Sequence, residues 1–271
     1  MKSSLILALM QILTVQDILK PPFPKADHRI AYGSDAQQFG DLRLPKGSGP
    51  FPVVIVIHGG CWLAEYDLGH IGRFSEALTA EGAATWSIEY RRVGNPGGGA
   101  PGTFDDVAAA AAYLQVLAAQ YPLDLKRVAA VGHSAGGQLA LWLAARGSKQ
   151  VTLRGVVSLA GVVDLRAAAQ QNVCGDAVPR LLGEAADYHR YSPMEMLPIK
   201  VPQRLIHGAR DRIVPLEMVR RYEAVARKAG DDVSLTVIDD AGHFELISPQ
   251  TTAGPVVRQA VMSLLGGHRD Q

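Results

Sequence analysis

The stretch AAVGHSAGGQLALWLAA, from Ala129 to Ala145, holds one hydroxyl crowded by glycines. Upstream, RVAAVGH (127–133) is a short apolar run of strand length. Downstream, 135–146 carries Ala, Leu and Trp at helical spacing. Ser134 therefore stands where a strand turns sharply into a helix. Read alone, the Gly-His-Ser-Ala-Gly pentapeptide fits an ordinary turn. It also fits G-x-S-x-G, in which small neighbours leave room for a tight bend that exposes the serine hydroxyl. With strand and helix on either side, the second reading is preferred.

The surrounding chain extends the alternation. PVVIVIH (52–58) is continuously apolar and β-branched, as expected of a strand buried on both faces. HIGRFSEALTAEG (70–82) reads as a helix, AATWSIEY (83–90) as a strand, and 102–122 as a helix opened by Thr103 and closed before Pro122. Strands are expected at 153–163, 203–208 and 233–239, and helices at 216–230 and 251–265. HRIAYG and QFGDLRLPKG predict an antiparallel hairpin at one edge. Strands alternating with helices define an α/β protein, with a mostly parallel twisted sheet covered on both faces. Residues 165–200 break the rhythm with short helical pieces and three prolines, and are expected to form a small lid over the strand ends. Residues 23–271, this insertion included, are expected to form a single α/β domain.

Composition excludes several functions. The chain has 271 residues, a net charge of +1 and 20% charged residues. No basic patch points to nucleic acid, and no run is long enough for stable membrane insertion. Two cysteines, Cys61 and Cys174, lack any metal-binding spacing, so neither a metal nor an organic cofactor is expected. Read as unpaired thiols, they point to a reducing compartment. Residues 1–22 begin MKSSLILALMQILTVQD, with one early Lys and a short apolar run but no small-residue cleavage site. The expectation is an amphipathic helix ending before Pro21-Pro22 and a cytoplasmic protein. If the run is instead a targeting segment, the protein is exported.

A serine hydroxyl needs a base and a place for oxyanion charge. Of eight histidines, only His243, in DDAGHFELISP, follows the last strand in a Gly-containing loop. His28 precedes the sheet, His268 lies in the tail, and His70 and His189 sit in irregular segments. Asp211, in LIHGARDRIVPLE, completes the chain order Ser, Asp, His; Asp164, Asp239 and Asp240 compete for the role. IHGGCW (57–62) ends a buried strand. Its Gly59 and Gly60 leave main-chain N–H groups unobstructed, and Ala135 supplies another. His58 is expected to bond loop backbone, and Trp62 either to line the acyl pocket or to pack beneath the loop.

HGGCW, EYRRVG, FDDVAAAAAYL, GHSAGG, GVVDL, YSPMEMLP, HGARDRIVP and AGHFELISP, in this order, resemble the α/β-hydrolase superfamily. The resemblance covers residue 40 onward and is to HGG-bearing esterases similar to kynurenine formamidase and hormone-sensitive lipase. It implies Ser134 as nucleophile, Asp211 as acid, His243 as base, and an oxyanion and substrate region around Gly59, Gly60, Cys61, Trp62 and Ala135. Cys61 stands where the lipase group has a further glycine, which places the chain towards the formamidase-like branch. Glu89, Tyr90 and Arg91 are expected to buttress the oxyanion loop. The implied activity is a serine carboxylesterase acting on a small ester; a homodimer is left open. The alternatives are an arylformamidase-like amide hydrolase and a non-catalytic ligand-binding protein on the same fold.

Overall fold

In the computed structural model, residues 12–184 and 186–266 are described. Eight strands form one sheet in the order β1-β2-β4-β3-β5-β6-β7-β8. They are β1 (His28–Ala31), β2 (Phe39–Arg43), β3 (Phe51–Ile57), β4 (Ala84–Ile88), β5 (Leu123–His133), β6 (Leu153–Leu159), β7 (Gln203–Gly208) and β8 (Val233–Ile238). The β1–β2 and β2–β4 pairs are antiparallel, and every other pair is parallel. The helices are α1 (Val15–Ile18), α2 (Gly72–Ala80), α3 (Gly102–Ala112), α4 (Leu114–Ala118), α5 (Ala135–Arg146), α6 (Leu165–Gln170), α7 (Ala177–Leu182), α8 (Tyr188–Tyr191), α9 (Leu216–Lys228) and α10 (Ala253–Leu264).

The continuous apolar strands serve two cores at once. Along β3, Val53, Ile55 and Ile57 face the core that holds α3, α5 and α9, while Val54 and Val56 face α2 and α10. The same period of two divides Val128 and Ala130 from Ala129 and Val131 in β5. Each fully buried Val or Ile contributes about 1.5–3 kcal/mol relative to exposure, so this strand pair anchors the sheet.

Sheet topology then places the site. After β3 the chain moves outward to β4, then returns to β5 on the other side of β3. At such a switch point the loops leaving two adjacent parallel strands diverge and open a crevice at their carboxyl ends. Ile57 pairs with Gly132, so the Gly59-Gly60 loop and Ser134 emerge side by side.

Several expectations shift by a few residues. The strand expected over 153–163 ends at Leu159, and the helix expected over 102–122 divides into α3 and α4. The N-terminal segment holds only the single turn α1; residues 1–11 of the expected first helix lie outside the described residues. The 165–200 insertion has the expected short helices, but it packs against α3 and α5. Phe104 stacks on Tyr191 at 4.3 Å and meets Trp142 edge-on at 4.9 Å. The Gln138 amide donates to Tyr191 O and the Trp142 indole to Arg190 O. The insertion thus covers the apolar side chains of Phe104 and Trp142, and none of its described residues lines the cavity that holds Ser134.

The two cysteines are also not free thiols. Cys61 and Cys174 form a disulfide with Cα atoms 5.7 Å apart, joining the Gly-Gly loop to the insertion. Only the fold brings these positions together, which is why their sequence spacing carried no sign of it.

Candidate active site

The elbow at Ser134 is steric in origin. Ser134 has φ 55° and ψ −119°, a strained geometry for a residue with a Cβ. Its N–H donates to Leu159 O at 2.8 Å, and its carbonyl accepts from Gly137 N at 2.9 Å, so β6 and the first turn of α5 hold the bend. A Cβ at Gly132 would strike Gly136 O, and one at Gly136 would strike the carbonyls of Ile57 and His58. A Cβ at Gly59 would lie 2.7 Å from His133 O and 3.1 Å from Ser134 Cβ. Both loops can therefore approach only with glycine at these positions.

Past Gly59, the loop turns through three positive φ values: Gly60 105°, Cys61 53° and Trp62 57°. The backbone N–H groups of Gly60, Cys61 and Ala135 donate to no acceptor among the described residues. Ala135 is the first residue of α5, where no intrahelical partner exists and the helix dipole favours negative charge.

Beneath this loop lies a buried polar frame. His58 Nδ1 lies 2.7 Å from Gly59 O, and its Nε2 lies 2.9 Å from Glu89 Oε1. The other Glu89 oxygen accepts from Leu68 N, and the Tyr90 hydroxyl donates to His58 O at 2.9 Å. Burial pushes the Glu89 carboxyl up, but the charges and hydrogen bonds of His58, Arg92 and Tyr90 N–H outweigh it and hold the group below its ordinary value. Arg92 reaches Glu89, whereas Arg91 forms a two-pronged pair with Asp106 at 2.8 and 2.7 Å. The buttress thus uses Arg92, the neighbour of the arginine expected from sequence. Trp62 is fully buried with its indole on Gln138 Oε1 at 3.0 Å, so it packs under the loop.

Asp211 and His243 emerge after β7 and β8. His243 Nδ1 lies 2.7 Å from Asp211 Oδ2, while Asp211 Oδ1 accepts from Ile213 N (2.7 Å) and Val214 N (3.0 Å). Burial pushes the Asp211 carboxyl up; the His243 hydrogen bond and charge and the Ile213 N–H more than offset this, so it sits below the ordinary value. Asp164, the main competing acid, instead caps α6 by accepting from Ala167 N. Asp240 accepts from the Thr252 hydroxyl.

Ser134, Asp211 and His243 line one cavity of about 1130 Å³, together with Gly60 and Cys61. No Ser134–His243 hydrogen bond forms among the described residues, as is common before substrate tightens such contacts. The N-terminal segment, Ile12 to Gln16, also lines this cavity. Leu13 N–H donates to Glu245 Oε1 at 2.6 Å, and Arg73 holds Ile18 O, Lys20 O and Pro22 O. An amphipathic helix was expected here, but the surface it covers depends on contacts with distant residues such as Glu245 and Arg73, of which the sequence carried no sign.

Two histidines given no role from sequence also lie here. His70 is buried and lines the cavity, with Nε2 2.8 Å from His133 Nδ1; His133 Nε2 is 2.9 Å from His243 O. No group of three or more His, Cys, Asp or Glu among the described residues is placed to hold a metal ion.

Sheet order, elbow and loop geometry define an α/β-hydrolase fold. Residues 41–224 match the BD-FAE family, and the chain belongs to that family. It is similar to esterase LipC of Mycobacterium tuberculosis, 26% identical over 267 residues that cover 90% of this chain and 66% of LipC. The chain thus spans just under two thirds of that relative's length. Among solved structures, a truncated carbohydrate esterase from gut microbiota superposes with TM-score 0.77 at 22% identity, covering 90% of this chain and 97% of that one. Esterase B from Lactobacillus rhamnosis gives TM-score 0.78 at 18% identity, covering 93% and 90%. At these identities the structural likeness establishes the shared fold.

Proposed function

We propose that this protein is a serine carboxylesterase. The observation that carries the reading is the meeting, in one cavity, of Ser134 on a strained elbow, the Asp211–His243 pair and unpaired main-chain N–H groups. His243 Nε2 takes the Ser134 proton as Oγ attacks the ester carbonyl. Asp211 keeps the proton of His243 on Nδ1 and stabilises the imidazolium. The N–H groups of Cys61 and Ala135 receive the oxyanion, at the positive end of α5. His243 then protonates the leaving alcohol, and water activated by the same imidazole releases the acid. The chemistry needs no cofactor.

The cavity is slightly larger than typical ligand pockets, and Ile12, Leu13, Val15, Ile213 and Phe244 supply apolar walls. This supports an ester with an apolar group larger than acetyl. The esterase names of LipC and of both solved structures agree with ester chemistry. A panel of p-nitrophenyl esters from acetyl to dodecanoyl, run beside N-formyl aryl amides, tests the reading. Ester turnover with an optimum beyond acetyl is expected. Turnover of the formamides alone would replace the esterase with an amidase.

The Cys61–Cys174 disulfide supports an oxidising compartment in place of the cytoplasm. Among the described residues, no helix is long and apolar enough to cross a membrane. Alkylation and mass spectrometry of freshly lysed producing cells should find both thiols blocked; free thiols would return the protein to a reducing compartment.

A further inference from the structure

We propose that His133, the second residue of the G-H-S-A-G pentapeptide, is a positioning residue for His243, and that His70 fixes it in the tautomer this requires. The inference deepens the esterase reading and rests on it.

His133 ends β5, is fully buried and directly precedes Ser134. Its Nε2 lies 2.9 Å from the main-chain oxygen of His243. A carbonyl oxygen can only accept, so His133 Nε2 carries a proton. Burial, with the neighbouring His243 and His70, keeps His133 far below its ordinary pKa. The ring is therefore neutral at working pH and its Nδ1 is an acceptor. His70 Nε2, 2.8 Å away, must then donate. Burial first, and then His58 and His243, push His70 down to about 3, so it too is neutral, with a bare Nδ1. That atom is buried without a hydrogen-bond partner among the described residues, so no acceptor there calls for a proton on it.

The consequence is mechanical. His243 sits on an irregular loop after β8 and needs external restraints. Asp211 holds the ring, Glu245 Oε2 accepts the preceding Gly242 N–H at 2.9 Å, and His133 holds the His243 peptide itself. Of these, only the His133 bond starts from the residue beside the nucleophile. The His133 and His243 rings also pack with centroids 4.5 Å apart. This hydrogen bond thus ties the base's peptide to the residue beside the nucleophile without touching substrate, and misplacement by about 1 Å can cost roughly a hundredfold in rate.

Two measurements test this. Imidazole nitrogen shifts of the wild-type protein should show neutral, Nε2-protonated rings for both His70 and His133 near pH 7. An Nδ1-protonated or charged His133 would overturn the proposal whether or not any variant folds. His133→Leu should lower kcat about a hundredfold with KM nearly unchanged, and should slow fluorophosphonate labelling of Ser134 to match. His133→Gln, whose amide N–H can reach the same carbonyl, should recover most of kcat. A folded His133→Leu with kcat within threefold of wild type, or equal impairment of Gln and Leu, would refute it. Failure of wild-type Ser134 to label would instead sink the esterase reading.

Discussion

Asp211→Asn separates the acid's electrostatic role from its structural one. Asn keeps Oδ1, the atom that accepts from Ile213 and Val214 N–H, so the turn after β7 should survive. At the other position, an amide NH₂ replaces the Oδ2 that faces His243 Nδ1 at 2.7 Å. That donor demands a bare Nδ1, which moves the His243 proton to Nε2, where it faces Ser134 and blocks general-base action. His243 thereby loses both its working tautomer and the carboxylate that stabilises its charged form. Where an acid of this kind is amidated, turnover falls about ten-thousandfold, roughly 5 kcal/mol in barrier. The assay is kcat on a p-nitrophenyl ester, with Tm and circular dichroism as controls. A folded Asn variant that keeps more than a tenth of wild-type kcat would refute the assignment of Asp211.

Gly136→Ala should be both destabilised and inactive, since the new methyl runs into the Ile57 and His58 carbonyls; a cost of about 1–3 kcal/mol or more should appear in denaturant melts. Cys174→Ser opens a cross-link spanning 113 positions and should cost about 4 kcal/mol, with a matching drop in Tm that reduction of wild type reproduces. Asp211 has a native pKa below its ordinary 3.8, so its contribution to stability is complete above that value and is lost as pH falls through the depressed one. The stability difference between wild type and Asp211→Asn, followed by denaturant melts from pH 6 downward, should therefore shrink on acidification, and growth of the difference would contradict the ion-pair reading.

Periodicity carried the fold well because β3 and β5 are buried on both faces and advertise it with unbroken apolar runs. The elbow was legible for a related reason: sterics leave only glycine at positions 132 and 136, so geometry is written into composition. The pairing of Asp211 with His243 could be anticipated because chain order and strand ends restrict them. The disulfide, the Arg92 buttress, the N-terminal wall and the His70–His133 pair were not legible. Arg92 lies only three positions from Glu89, but which of two adjacent arginines turns towards it is decided by tertiary packing; the others depend on contacts between distant segments, and a buried neutral histidine looks in sequence like any other. Trp62 shows the limit from the other side, since whether an aromatic lines a pocket or lies beneath it is decided by tertiary packing around Gln138.

The central claim is that Ser134 is an activated nucleophile. Incubation with a fluorophosphonate, proteolysis and mass spectrometry test it most directly. One covalent adduct is predicted, on the peptide carrying Ser134, and it should be lost in His243→Ala. No adduct, or an adduct on another residue, would contradict the account.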